Sequence, residues 1–269
     1  MALCKWLLPA ALLCVAGAAN AGSIWDSMGL PSAISGDGPP AGVLAPNAKQ
    51  GLAGSLALGY IGTTGNTNTS SIDAKLAISY TSGHWFHNAA LDRQRVAQDH
   101  DLTVNRLDFG GQSNYLFNEH NYVFGHLSYE RNGFGGFQQR TSEAIGYGRR
   151  ILGTDEQTLD IEIGAGWRQS RLRDMLADGQ TVYTNKTSGI VRLGGKYEWQ
   201  FNENGSFGQA IAVEKGSDNT YTESITSLTA NLMSTLAVVV SYTIKHNSTV
   251  QPGIANTDTY TTVSLQYSF

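Results

Sequence analysis

The chain is poor in cysteine, in charge and in long apolar runs, and each shortage excludes a class of protein. Its two cysteines, Cys4 and Cys14, both lie within the first 21 residues. Without a thiol beyond that segment there is no disulfide framework, cysteine metal site or cysteine nucleophile. Charged residues make up 15% of the chain, against about 25% in soluble globular domains. No apolar run approaches the length of a membrane-spanning helix, about 20 residues.

Residues 1–21 have the features of a secretory signal peptide. Lys5 is their only charged residue, an apolar run extends over 6–16, and the segment ends in Ala19-Asn20-Ala21. A basic start, a short apolar core and small residues at the end are typical of a cleavable signal. We therefore predict cleavage after the alanine motif. A buried N-terminal helix and a lipoprotein processed at Cys14 are the alternatives.

Residues 22–51 read as a linker. They are rich in glycine and contain Pro31, Pro39, Pro40 and Pro46. Proline cannot donate to a β-ladder and glycine disfavours regular structure, so no strand is expected here. We therefore divide the chain into a signal peptide over 1–21, a periplasmic linker over 22–51 and one domain over 52–269.

The charge balance argues against a nucleic-acid partner. Removing Lys5 with the signal leaves 17 basic against 22 acidic residues. A protein that binds nucleic acid is expected to present a basic surface.

From residue 52 to the last residue, apolar and polar side chains alternate. Successive strand side chains point to opposite faces, so each run has one apolar and one polar face. The runs are about ten residues or longer, which is close to the 9–11 or so of a tilted membrane strand and longer than the five or six of soluble strands. Many apolar faces end in an aromatic residue, as at a membrane–water interface. A soluble β-sandwich has the same periodicity, but the strand lengths and the aromatic ends favour a membrane barrel.

Taking every run as a strand predicts an all-β, closed, antiparallel transmembrane β-barrel of twelve strands. Hydrocarbon cannot satisfy backbone N–H and C=O groups, so the sheet must close without an edge. Short and long connections alternate, which places short turns and both mature termini in the periplasm of a Gram-negative bacterium. The run 138–151 fits least well, because Glu143 and Ile145 share a face. The predicted strands cover 52–62, 68–80, 84–97, 102–117, 121–132, 138–151, 157–170, 182–201, 206–215, 221–232, 235–246 and 258–269.

Parity places sixteen charged residues, eight of each sign, inside the barrel. Balanced charges can pair and brace a narrow barrel, or they can line a charge-selective polar path. A strong excess of one sign would have favoured a charge-selective pore, whereas the observed balance of charges does not favour one. The sixteen are Asp73, Lys75, Asp92, Arg106, Asp108, Glu130, Arg140, Arg150, Asp160, Glu162, Arg168, Arg192, Lys196, Glu198, Glu214 and Lys245.

The C-terminal run points to the outer-membrane assembly machinery as a partner. Val263, Leu265, Tyr267 and Phe269 alternate with polar residues, and the last residue is aromatic. This pattern resembles the C-terminal strand signal that the machinery reads. Outer-membrane lipids and lipopolysaccharide are the other expected partners, and the sequence leaves the oligomeric state open.

Parts of an enzyme are scarce in the sequence. His126 lies mid-strand on the inward face near Ser128 and Glu130, a spacing that is common without catalysis. No nucleophile elbow, metal-spaced histidine pair or phosphate loop appears, so no cofactor or metal is expected.

Other readings rest on the loops and on two arginines. The segment 62–70 could bind sugars or lipopolysaccharide, and Arg93 and Arg95 could meet lipid phosphates. A surface-binding module would use the loops at 131–138, 170–182 and 246–258, which are short for adhesion.

Three segments carry a family resemblance: GSLALGYIGTTGNTNTSSIDAKLAISY, YLFNEHNYVFGHLSYERNGF and NTDTYTTVSLQYSF. They resemble the salt-induced outer-membrane proteins, a domain family of unknown function, over roughly residues 52–269. The resemblance implies an outer-membrane barrel and a link to osmotic conditions, but no catalytic or ligand residues. We expect a structural or passive-transport, porin-like barrel. An outer-membrane enzyme acting on lipid or peptidoglycan, or a surface-binding module, is the alternative.

Overall fold

The computed structural model describes residues 51–63, 69–98, 101–133, 137–175 and 181–269. The predicted signal peptide and nearly all of the predicted linker lie outside the described residues. Within the described part, no helix is long and apolar enough to cross a membrane. The strands are β1 (Gly51–Thr63), β2 (Thr69–Ser82), β3 (Trp85–Gln98), β4 (Asp101–Leu116), β5 (Asn121–Asn132), β6 (Phe137–Gly153), β7 (Gln157–Met175), β8 (Thr181–Asn202), β9 (Gly205–Gly216), β10 (Thr220–Met233), β11 (Leu236–Asn247) and β12 (Thr257–Ser268).

The twelve strands form one closed barrel, which confirms the predicted fold class. Each strand pairs antiparallel with its neighbours in the chain, and β1 closes the sheet against β12. At this seam the register runs from Ser55 opposite Ser268 to Leu58 opposite Leu265. Gly54 and Phe269 extend the seam with two backbone hydrogen bonds, of 3.0 and 2.9 Å. Closure gives the last strand the partner that an open edge would lack.

The strand ends agree with the sequence expectation to within two residues at all but one place. At the end with the tight turns the differences are at most two residues. At the other end, β7 continues to Met175, five residues past its predicted end, whereas the other strand ends there differ by one residue or none. Part of the predicted loop 170–182 is therefore strand. We call the two ends the short-turn end and the long-loop end.

The outer wall of the barrel is largely apolar. Leu56, Ile78, Ile163 and Leu193 are among the large apolar side chains exposed on it. Aromatic rings concentrate at the short-turn end, where Trp85 packs edge-on against Tyr115 with centroids 5.1 Å apart. A wall of this kind is what a barrel presents to lipid, with aromatic rings at the interface.

Two places on the outer wall depart from this pattern. On β6, Glu143 and Ile145 both face outward, as the sequence suggested, and Glu143 accepts a 3.1 Å hydrogen bond from the Trp167 indole. On β10 the outward residues from 220 to 226 are small and polar, whereas Tyr221 and Ile225 point inward and are buried. The outward hydroxyls of Ser224 and Thr226 bond to Gln209 on β9. At these two places the polar atoms on the outer wall are paired with each other.

Candidate functional site: the barrel interior and its loop-end cavity

The structure places the sixteen parity-assigned charged residues on the inner wall. Three of them, Lys75, Lys196 and Glu198, are partly exposed, and the others are buried. The sequence assignment omitted one interior charge, Glu223 of β10, which is 0% exposed. Apolar residues lie on both faces of this strand, which obscures the alternation, but the outward Leu228 and Leu232 place Glu223 on the inner face by parity. The thirteen buried residues are Asp73, Asp92, Arg106, Asp108, Glu130, Arg140, Arg150, Asp160, Glu162, Arg168, Arg192, Glu214 and Lys245.

A group that we call the charged layer crosses the barrel in its long-loop half. It consists of Arg106, Asp108, Glu130, Glu223 and Lys245. The Lys245 ammonium lies 3.0 Å from Asp108, 3.3 Å from Glu130 and 3.7 Å from Glu223. Arg106 also pairs with Asp108, at 3.0 Å. Lys245 belongs to β11, whereas its two shortest ion pairs are to β4 and β5 on the opposite wall. Side chains from opposite walls therefore meet in the middle of the lumen.

A second charged group lies beside this layer, on β6 to β9. Arg168 and Arg192 each approach Glu214 at 3.5 Å. The Ser142 hydroxyl on β6 donates a 3.0 Å hydrogen bond to the same carboxylate on β9. Glu214 thus neutralises part of the positive charge of the two guanidiniums. It also links β9 to β6 and β7, which are not its neighbours in the sheet.

Ion pairs within one strand or between adjacent strands are found nearer the short-turn end and in the middle of the wall. Arg150 donates two hydrogen bonds to Asp160, of 2.9 and 2.7 Å. Lys75 of β2 lies 3.8 Å from Asp73 and 3.6 Å from Asp92. These pairs follow the wall rather than crossing the lumen.

Near the short-turn end the interior is filled by an apolar plug, which consists of Phe86, Leu116, Tyr122 and Phe124. The Tyr122 hydroxyl of β5 donates a 3.0 Å hydrogen bond to Glu162 of β7. The Tyr122 ring lies over Gly148 of β6, where a Cβ atom would come within 2.2 Å of the ring. Glycine is therefore needed at 148 for the ring to reach this position.

The long-loop end contains a cavity of about 170 Å³, which we call the loop-end cavity. Its floor is formed by Arg140 and Arg168, and the β11–β12 connection covers one side. That connection is fixed to the barrel by Thr249 N–H, which donates to Asn219 at 3.1 Å. At Gly253 it adopts a φ of +84°, a conformation that glycine reaches without steric cost.

The remaining sequence candidates are not assembled into a reactive site. Neither ring nitrogen of the buried His126 has a hydrogen-bond partner within the described residues, and Glu130 pairs with Lys245 instead. The described residues also contain no group of His, Cys, Asp or Glu that could hold a metal. Residues 64–68 of the predicted sugar-binding loop lie outside the described part. Arg93 and Arg95 are on the outer wall, where Arg93 donates to the Arg106 carbonyl at 3.1 Å.

Comparison with known proteins places this barrel in a family. Residues 56–269 match the family described as "Protein of unknown function, DUF481". The chain belongs to the DUF481 family. The resemblance drawn from the sequence is therefore confirmed as far as family membership. The uncharacterized protein YdiY of Escherichia coli (strain K12) is 27% identical to this DUF481 protein over 230 residues, covering 82% of this chain and 85% of that protein.

Solved structures of outer-membrane barrels are similar to the DUF481 protein at low identity. The NanC porin is 12% identical, with 81% of this chain and 98% of that chain covered and a TM-score of 0.45. An outer membrane channel from Pseudomonas putida F1 is 10% identical, with coverages of 82% and 96% and a TM-score of 0.45. Similarity of this degree is not informative about substrate or mechanism.

Proposed function

We propose that this DUF481 protein is an integral outer-membrane barrel whose lumen is closed by its own side chains. The charged layer is the observation that carries the proposal, because Lys245 bridges opposite walls in the middle of the lumen. The apolar plug, from β3, β4 and β5, supports a second closure nearer the short-turn end. The barrel therefore acts as a braced structural element of the membrane rather than as an open diffusion pore.

The outer wall supports the membrane location. Leu193 is 49% exposed and Arg192, its neighbour in the chain, is 1% exposed. This is the arrangement that lipid outside and polar side chains inside require, since hydrocarbon tolerates charge poorly. We propose that the short-turn end and both mature termini lie in the periplasm, and that the signal peptide is cleaved after Ala21.

The partners of the barrel follow from its outer surface. Val263, Leu265, Tyr267 and Phe269 all face outward and are exposed, which suits recognition of β12 by the assembly machinery. Arg93, Arg95 and Arg131 lie on the outer wall toward the long-loop end, where guanidiniums can pair with the phosphates of lipopolysaccharide. We place this basic side of the barrel in contact with the outer leaflet.

Single-channel recording in planar bilayers tests whether the lumen is closed. The unmodified barrel should show no steady conductance. Tyr122→Ala with Phe124→Ala removes the plug and should also be silent, because the charged layer still closes the lumen. Adding Lys245→Ala should produce conductance, since both barriers are then open.

The control for this series is a second triple variant, in which the two plug substitutions are replaced by two alanine substitutions on the outer wall. Leu193→Ala and Val238→Ala combined with Lys245→Ala should stay silent, because the plug is intact. Steady conductance of the unmodified barrel would contradict the proposal. So would equal conductance of the plug variant and the triple variant.

A narrow passive-transport path is the second candidate, favoured by the loop-end cavity and by the polar inner wall. Conduction would then need the ion pairs of the charged layer to separate. In the recordings this would appear as brief openings of the unmodified barrel, which Lys245→Ala would lengthen. No described residue bears on the osmotic link implied by the resemblance, and growth of a deletion strain over a range of NaCl concentrations tests it directly.

A further inference from the structure

Arg140 of β6 is a buried cation whose hydrogen bonds are incomplete. It is 6% exposed and lies on the floor of the loop-end cavity. Its Nη2 donates to Asn247 Oδ1 at 2.8 Å, while Nε and Nη1 have no hydrogen-bond partner among the described residues. Buried charged donors are normally paired, because leaving them unpaired is costly. A buried guanidinium that lines a cavity and has incomplete hydrogen bonds can attract an anion.

The guanidinium of Arg140 is held rigidly although it is incompletely bonded. Its central carbon lies 3.7 Å from the ring centroid of Phe137 and 4.5 Å from that of Tyr221. The two aromatic faces and the bond to Asn247 fix its orientation. A binding group that is fixed in advance loses little conformational entropy when a ligand arrives.

The charges around the cavity favour an anion at its floor. Within the described residues, no carboxylate forms an ion pair with Arg140. Arg168, the second guanidinium of the floor, already shares Glu214 with Arg192. The acids that line the cavity, Asp218 and Asp258, are exposed at its rim, as is Lys186. Positive charge is therefore buried at the floor, whereas both signs occur at the solvent-facing rim.

Apolar side chains line the cavity together with the polar ones. They are Phe137, Leu172, Val250, Ile254 and Ala255, three of them from the β11–β12 connection. The volume of about 170 Å³ is close to the ~150 Å³ that admits one benzene molecule. The space suits a compact apolar group that is attached to an anionic head.

We propose that the loop-end cavity binds small carboxylates with an apolar body, and that Arg140 receives the carboxylate. The carboxylate pairs with the Arg140 guanidinium where it lines the cavity, and the apolar body packs under the β11–β12 connection. This inference does not depend on whether the barrel conducts. It adds a ligand site at the long-loop end, which in the proposed orientation faces the outside of the cell.

Benzoate and benzamide are the probes that separate charge recognition from apolar packing. Both have the same ring and nearly the same size, but only benzoate carries a negative charge. Isothermal titration calorimetry on the purified full-length barrel in neutral detergent should show saturable binding of benzoate. Benzamide should bind roughly ten- to a hundredfold more weakly, which is the usual effect of losing a hydrogen bond between charged groups. Equal binding of the two probes, or binding of neither, would overturn the proposal.

Variants then assign the effect to Arg140. Arg140→Met should remove the preference for benzoate over benzamide, while Arg140→Lys should keep the preference with weaker binding. Arg131→Met is the matched control, because it removes an arginine from the outer wall at the same end and should leave both affinities unchanged. Folding of Arg140→Met is judged by heat-modifiable migration on gels. If this variant fails to fold, the Arg140→Lys variant and the comparison of benzoate with benzamide on the unmodified barrel still test the proposal. Unchanged benzoate affinity in a folded Arg140→Met barrel would refute the assignment.

Discussion

Replacing Lys245 by methionine should destabilise the barrel more than any other single loss of an interior lysine. Lys245 is 3% exposed and has three carboxylates within 3.7 Å. At an effective dielectric constant of about 20, each of these contacts has a Coulomb energy of about 5 kcal/mol. Most of this offsets the cost of burying the charges, so the net effect is smaller. Removing one partner of a buried pair typically costs about 3–5 kcal/mol, because the remaining charge is left uncompensated.

Lys75→Met is the matched control for this prediction. Lys75 also faces two interior carboxylates, but at 3.8 and 3.6 Å, and its side chain is 19% exposed. Water can therefore solvate the carboxylates after its removal, and we expect a loss of about 1 kcal/mol. The two substitutions remove the same atoms from the same kind of wall. Their difference isolates the contribution of the contacts across the lumen.

Urea titration of the barrel in phospholipid vesicles, followed by tryptophan fluorescence, measures both free energies of unfolding. Glu130→Gln should then reduce the penalty of Lys245→Met, because it removes one of the carboxylates that the lysine leaves unpaired. A double-mutant cycle for this pair should give a coupling energy of about 1–3 kcal/mol. Equal losses in the free energy of unfolding for Lys245→Met and Lys75→Met would show that the charged layer is hydrated. The proposal of a closed lumen would then be wrong.

The other predictions concern the two walls, the seam and the plug. Leu193→Arg should cost about 2–4 kcal/mol in the same vesicle assay because it places a charge toward lipid, whereas a comparable loss for Leu193→Ala would point to lost packing instead. Deleting Phe269 should lower the amount of barrel recovered from outer membranes and raise periplasmic degradation, and a normal yield on membrane fractionation would contradict this. Gly148→Val should cost about 1–3 kcal/mol, because a side chain there overlaps the Tyr122 ring; Gly125→Val, with nothing within 4 Å, should be nearly neutral.

Alternation alone predicted the fold because membrane strands have two chemically distinct faces. The fifth strand illustrates this: the predicted 121–132 and the observed Asn121–Asn132 coincide. The pattern weakened where a strand leaves the region of contrasting faces. Beyond the predicted end of β7 at 170, Arg171 and Arg173 take outward positions and Leu172 an inward one, so the alternation reverses and the segment reads as loop in the sequence.

The contacts inside the barrel could not be predicted in the same way. Parity assigns a residue to the inner wall, but it does not say which residue faces it from the opposite wall. That Lys245 meets Asp108 depends on the tilt and stagger of the strands, which a closed barrel fixes only as a whole. The same holds for the loop-end cavity, because nothing in residues 248–256 shows that this connection folds back over Arg140.

The interior charges are better explained by register than by stability. Buried ion pairs are weak evidence for stability, and apolar residues of similar volume often serve as well. If the inward charges of β7 were replaced by apolar residues, however, the strand would be apolar on both faces. A slip of its register by one residue would then carry no energetic penalty. With Asp160 and Arg168 on the inner face and Ile161 and Trp167 outside, the same slip moves charges into lipid and apolar residues into the lumen. Charges inside the barrel therefore specify the register, and the pairs across the lumen neutralise the charges that this requires.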